Sequence, residues 1–192
     1  MNLIVDKESV ILTKKGIDLS KNGKHREAIK FFDKALKIDK NDLGALCNKG
    51  TSLAYIGKFK EAFSIFNQVL KINPDVAEAW SNKGTVFSIQ NKHEEALLCL
   101  NKALELNSND IIALNSKAIT LQKLDRDKDA LQCLNKALEI QPRTVQTLIN
   151  KGNVLNRLNR EDEAIISFEK VLEIEPDNLF ALVGAKKIST KG

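Results

Sequence analysis

The sequence predicts an all-α protein built as a stack of helix pairs, and three observations predict it. First, the chain of 192 residues repeats itself every 34 residues, from Ser9 to Asn178, giving blocks 9–42, 43–76, 77–110, 111–144 and 145–178. A fixed period of this length is the signature of a repeat array in which each block is one supersecondary unit. Second, within the blocks the apolar and small residues recur at helical spacing. Third, the strict alternation that marks a half-buried strand is missing. Residues 1–8 precede the array as a short extension, and residues 179–192 follow it as a capping helix and tail.

Each element has its own justification, taken here by position 1 to 34 within a block. Positions 1–14 form a first helix, A, with a small residue at position 8: Gly16, Gly50, Gly84, Ala118 and Gly152. Small residues there let two helix backbones approach closely. Position 15 is Gly23, Gly57, Asn91, Asp125 and Asn159, residue types that tolerate the left-handed backbone ending a helix. Positions 16–30 form a second helix, B. Its buried stripe is read from Ala at position 20 in every block, Phe32, Phe66, Leu100, Leu134 and Phe168 at position 24, Ala or Val at 27, and Leu at 28 in every block. All three prolines, Pro74, Pro142 and Pro176, stand at position 32 and close the block. Asp75 and Asp177–Asn178 follow two of them and are expected to cap the next helix. After the fifth block, Leu179, Leu182 and Ala185 restart helix A, read as a solvating cap. At the other end, Leu3, Ile4 and Val5 either extend the first helix or fray.

These columns resemble the tetratricopeptide repeat. That family's pattern asks for a large apolar residue at 4, Gly or Ala at 8, a large residue at 11, Ala at 20, an aromatic or similar residue at 24, Ala at 27 and Pro at 32. The third block supplies Trp80, Gly84, Phe87, Ala96, Leu100 and Ala103, and the second supplies Leu46, Gly50, Leu53, Ala62, Phe66 and Pro74. One departure runs through all five blocks: position 7, usually Leu, is Lys15, Lys49, Lys83, Lys117 and Lys151. Its expected role is an aliphatic stem packed beside position 8 with the ammonium reaching water. The resemblance implies a right-handed α-solenoid of five antiparallel helix pairs. It also implies that helix A lines a concave groove through positions 2, 5, 6, 9, 12 and 13.

Those positions carry short amides and hydroxyls. The candidate peptide-binding residues are Asn48, Thr51, Tyr55, Asn82, Thr85, Asn115, Ser116, Asn150, Asn153 and Asn156. Asn both donates and accepts, so spaced Asn side chains can grip the backbone of an extended peptide without reading its side chains. Asn is also a mediocre helix former, and an inert face would more readily use Glu, Lys or Ala. Tyr55, Ile89 and Ile112 are candidates for an apolar pocket, and Lys14, Lys21, Lys123, Arg157 and Lys187 surround it with positive charge or else complement helix C-termini. Family members that bind chaperone tails carry Lys at position 5. No block here does, which argues against that specialisation.

Other chemistry finds little support. His25 and His93 both stand at position 17, two blocks apart, where repeat geometry keeps them from sharing a site, and both read as surface residues of helix B. No phosphate loop and no set of ligands with metal spacing is present. Cys99 and Cys133 read as packing residues at position 23. The reading is therefore of a non-enzyme with no cofactor and no metal. Three cysteines without a Cys-x-x-Cys pair suit a reducing, cytoplasmic setting. No long apolar run suggests a membrane span, and the first residues lack the features of a secretory leader. The net charge of +5 is spread over segments of both signs, and 5 Arg against 25 Lys offer few phosphate forks, which argues against nucleic acid. The expected partner is another protein in extended conformation; the alternative is self-association of the array through exposed terminal faces, with Leu3–Val5 or Leu179–Phe180 as the patch.

Overall fold

The computed structural model describes the backbone of residues 2–189 and the side chains of residues 7–186. Eleven helices cover these residues, and no strand occurs among them: α1 Asn2–Lys21, α2 His25–Ile38, α3 Leu43–Tyr55, α4 Phe59–Ile72, α5 Ala77–Ile89, α6 His93–Leu106, α7 Ile111–Lys123, α8 Asp127–Ile140, α9 Val145–Arg157, α10 Glu161–Leu172 and α11 Leu179–Ser189. Odd-numbered helices up to α9 are the A helices and even-numbered ones the B helices. The backbone of α1 begins at Asn2, so the first residues extend helix A of block one. The side chains of Leu3, Ile4, Val5 and Lys187 lie outside the described residues.

The turn between A and B follows from position 15. Gly23, Gly57, Asn91, Asp125 and Asn159 all have positive φ, between 55° and 79°. With the chain reversed there, the N–H of position 16 reaches back to the carbonyl of position 11, as Lys58 does to Leu53 at 2.9 Å and Arg126 to Leu121 at 2.9 Å. The N–H of position 15 bonds to position 12, as Gly57 does to Ala54. Two otherwise orphaned carbonyls are thereby satisfied in the way a left-handed residue allows. The other junction corrects one expectation. The side chains that cap helix A stand at position 34: Asp42 accepts from Ala45 N–H at 3.0 Å, Asp110 from Ala113 at 3.0 Å and Asn178, as expected, from Ala181 at 3.1 Å. Asp75 sits one residue too early, and its own N–H donates to Asn73 Oδ1.

The chain forms two compact units, residues 1–86 and 87–192. In the first, Ser9 Oγ donates to the Ala35 carbonyl near one end of the α1–α2 pair, while Gly16 meets Phe32 further along, so the two helices run antiparallel. Its apolar interior is three small clusters, around Phe32, around Val69 and around Phe66. The second unit holds one larger cluster, running from Leu97 through Leu121, Leu134 and Leu155 to Phe168 and Ala181. No helix among the described residues is long and apolar enough to cross a membrane.

Candidate functional site

The polar residues of helix A are stitched to the neighbouring repeat before they are offered to anything else. In the first unit Ser20 Oγ and Ser52 Oγ share a hydrogen bond of 2.8 Å, and Thr13 Oγ1 donates to Asp42 Oδ2. In the second unit the same offset, position 12 to position 10 of the next block, joins Ser88 and Thr120 at 2.8 Å. Sequence reading missed Ser52, Thr120 and Thr147, which are buried between repeats. The hydroxyls of Ser52 and Thr120 at a position that is Val86 and Val154 elsewhere were the available signal.

Among the candidate residues of the first unit, Thr51 donates to the Cys47 carbonyl at 3.0 Å, which commits its only proton. Its oxygen can then only accept, so Asn82 must turn its NH₂ toward it, at 3.0 Å. The Asn82 carbonyl is left facing away from Thr51. Asn48 donates to the Gly44 carbonyl at 2.9 Å, and a second N–H and its Oδ1 remain. Thr85 is half-buried and donates to the Ser81 carbonyl. Tyr55 is 72% exposed, yet it is not isolated: its ring stacks on His25, with centroids 4.4 Å apart and planes 7° from parallel. The two rings, with Ser20, Lys21, Gly23, Asn48, Thr51 and Ser52, line a cleft of about 410 Å³. His25 is thus half-buried with its Nδ1 unpaired, not a bare surface residue as expected. No carboxylate lines the cleft, and its polar groups are an ammonium, an imidazole, an amide and hydroxyls.

In the second unit Asn115 spends both N–H groups, on the Ile111 carbonyl and on Thr147 Oγ1, each at 2.9 Å. Its Oδ1 accepts from Asn150 at 3.3 Å, and Asn150 Oδ1 accepts from Gln146 at 3.0 Å. Asn150 keeps one N–H and one lone pair; Asn115 keeps no donor. Asn153 is exposed, and Asn156 is half-buried with Oδ1 unpaired. Ser116 was expected on the open face and is buried, at 8% exposure. Position 5 is corrected likewise: Cys47, Ser81 and Ile149 are buried, and Cys47 packs against Ala79 of the next helix A as Ile149 does in the cluster that holds Ala181. Ile89 and Ile112 are exposed.

The positive charges are also redistributed. Arg157 is held by Asp127 at 2.9 and 3.0 Å and by Asp125 at 2.7 Å, both from the preceding block, so its charge is answered internally. Burial pushes the Cys47 thiol up to about 12, aided by Glu78 and Asp42, which leaves it protonated and a poor nucleophile at neutral pH. Burial raises Cys133 as well. Among the described residues no three His, Cys, Asp or Glu side chains come together as a metal set.

A stack of antiparallel helix pairs with a polar A face defines a helical repeat protein, and comparison with known proteins agrees. Family profiles described as tetratricopeptide repeat match residues 14–42, 43–76, 77–110 and 109–176. The chain belongs to the tetratricopeptide repeat family. Among solved structures it is similar to TTC0263, a thermophilic TPR protein of Thermus thermophilus, with a TM-score of 0.83 at 19% identity over 95% of this chain and 99% of that one. It is also similar to YrrB, described as a TPR protein with an unusual peptide-binding site (TM-score 0.65, 24% identity, 94% and 93% covered). A third is MamA, residues 41 to the end, from Desulfovibrio magneticus RS-1 (TM-score 0.69, 22% identity, 90% and 97% covered). At these identities the likeness is one of fold. No curated protein matches the chain.

Proposed function

We propose that the chain is a non-enzymatic scaffold that binds an extended segment of another protein along its helix-A faces. The observation that carries this is the oriented amide. Thr51 turns Asn82 and Asn115 holds Asn150, so each presents hydrogen-bonding capacity whose direction is set before a ligand arrives. Preorganised groups of this kind lose little rotamer freedom on binding. Asn48, Asn82, Asn150 and Asn153 are the backbone grips, Thr85 and Asn156 flank them, and Asn115 and Thr51 are positioning residues. Ser116, being buried, is left out. In the first unit the Tyr55–His25 stack forms one wall of a cleft wide enough for a peptide side chain. The fold shared with YrrB, whose description names a peptide-binding site, is in keeping with this reading. The test is to select ligands from a random peptide library and map each by amide chemical shifts. Shifts on α3, α5, α7 and α9 are expected; shifts confined to the B helices would sink the proposal.

One further observation favours a second reading, self-association. On α11 the side chains of Leu179, Phe180 and Val183 are 73%, 75% and 63% exposed, an apolar patch of the kind that marks interaction sites. Light scattering over a hundredfold concentration range separates the readings: a rising mass supports association, and a constant monomer mass removes it.

A further inference from the structure

The lysines at position 7 do not all behave alike. Lys49 pairs with Asp33 at 2.7 Å and Lys83 bonds Asn67 Oδ1 at 2.8 Å, each partner standing at position 25 of the preceding B helix. These contacts give two of the five lysines at position 7 a polar partner. In block five the corresponding partner is Asn135, and Lys151 does not take it. Among the described residues Lys151 has no hydrogen-bond or ion-pair partner, although it is half-buried. It lies instead in a cleft of about 280 Å³ beside Leu138, Pro142, Leu148, Ile166 and a second lysine, Lys170. Lys170 is likewise without a partner among the described residues. The one carboxylate at the rim, Glu163, is held by Arg160 through two bonds of 2.7 Å.

Lys151 lays its aliphatic stem against apolar side chains, while its ammonium is not fixed to any counterion and is open to a ligand. The cleft departs from the groove reading in place and in chemistry: it lies between α8, α9 and α10, not on the polar A face, and does not depend on that reading. We infer that this cleft is a docking site for an acidic–aliphatic segment of a partner protein, with a Glu or Asp side chain lying between Lys151 and Lys170 and a neighbouring aliphatic side chain against Leu138, Leu148 and Ile166. Charge complementarity selects the occupant, because two lysines face one cleft whose one carboxylate, Glu163, is hydrogen-bonded to Arg160 and acts on Lys151 only at longer range. The walls select the aliphatic neighbour, because a purely polar segment would leave them wet. Burial, and then the charge of Lys170, lower the basicity of Lys151, with Glu163 opposing them.

The test uses the full chain and fluorescence anisotropy with labelled peptides, acetylated and amidated so that only side chains carry charge, each with a central Leu-Glu-Leu. Lys151→Leu restores the usual family residue and Lys170→Gln alters an exposed position, so both variants are expected to melt like the parent. The Leu-Glu-Leu peptide is expected to bind, and to bind at least tenfold more weakly to either variant. Its Leu-Gln-Leu counterpart is expected to bind the parent at least tenfold more weakly, and Asn82→Ala with Asn150→Ala is expected to leave the Glu peptide unaffected. Equal binding of the Glu and Gln peptides overturns the inference, as does unchanged binding by both lysine variants. So does an interaction seen only when the peptide's own terminal carboxylate is left free, or none at millimolar peptide.

Discussion

Gly50→Ala is expected to destabilise the protein by about 1–3 kcal/mol, the range for overpacking a closed core. A methyl built on Gly50 would lie 2.5 Å from Phe66 Cε1 and 3.0 Å from Cδ1 and Cζ. Phe66 is fully buried between Ala62, Leu53 and Val86, so the ring has nowhere to swing. Against this, Ala gains up to about 1 kcal/mol over Gly in a helix interior, so the clash is partly masked. The chain itself contains the control. In block four the pair is Ala118 and Leu134, both buried, which shows that a methyl at position 8 is accommodated when the ring at position 24 becomes Leu. Phe66→Leu alone leaves a void and is expected to cost about 1–2 kcal/mol. The double variant is expected to be more stable than the sum of the two by at least about 0.5 kcal/mol, the signature of residues in contact. Urea denaturation of the four proteins measures this. Simple additivity would mean that the close approach of Gly50 and Phe66 is not what restricts position 8.

Asn82→Ala combined with Asn150→Ala is expected to weaken binding of a selected peptide by about 10- to 100-fold, since each lost hydrogen bond contributes about 0.5–1.5 kcal/mol. The two sites act differently in detail. Asn82 offers the carbonyl that Thr51 turns away from itself, and so accepts a peptide N–H; Asn150 keeps one N–H for a peptide carbonyl. Neither substitution removes a buried partner: Thr51 keeps its bond to the Cys47 carbonyl, and Asn115 keeps its two donors engaged. The loss should therefore appear in affinity and not in the urea midpoint. Asn115→Ala makes the opposite contrast. It strands Thr147 Oγ1 inside the unit and should lower the midpoint first. Isothermal titration beside denaturation separates the two effects, and a double variant that binds every selected peptide as the parent does would remove the amides from the site.

The sequence was most informative where the governing interactions are local. The residue at position 15 needs a left-handed backbone whatever surrounds it, and all five such residues adopt one. The small residues at 8 and 20 and the bulky ones at 24 specify which sides of A and B meet, because both helices lie within one 34-residue block. The capping error at Asp75 was a slip of one residue in that same local logic. Site residues were harder to read. Asn48, Asn82 and Asn150 were picked out as amides on helix A, but nothing in their own block reveals what they touch. Asn82 meets Thr51, 31 residues back; Asn115 meets Thr147, 32 residues on; Ser20 meets Ser52, also 32 on. These offsets straddle the repeat period and follow from how one helix A settles against the next.

The sequence by itself thus determined the family, the helices, their turns and the polarity of the A face, since each depends on backbone preference and on burial within a block. Only the tertiary structure decided which polar groups are spent and which remain. Arg157 and Asn115 proved committed, Ser116 and Cys47 enclosed, and Tyr55 propped on His25, while Lys151 was left half-buried without a partner. The physical reason is that a hydrogen bond or ion pair between blocks depends on distances of a few tenths of an ångström across a packed interface, and periodicity in a sequence carries no information at that scale.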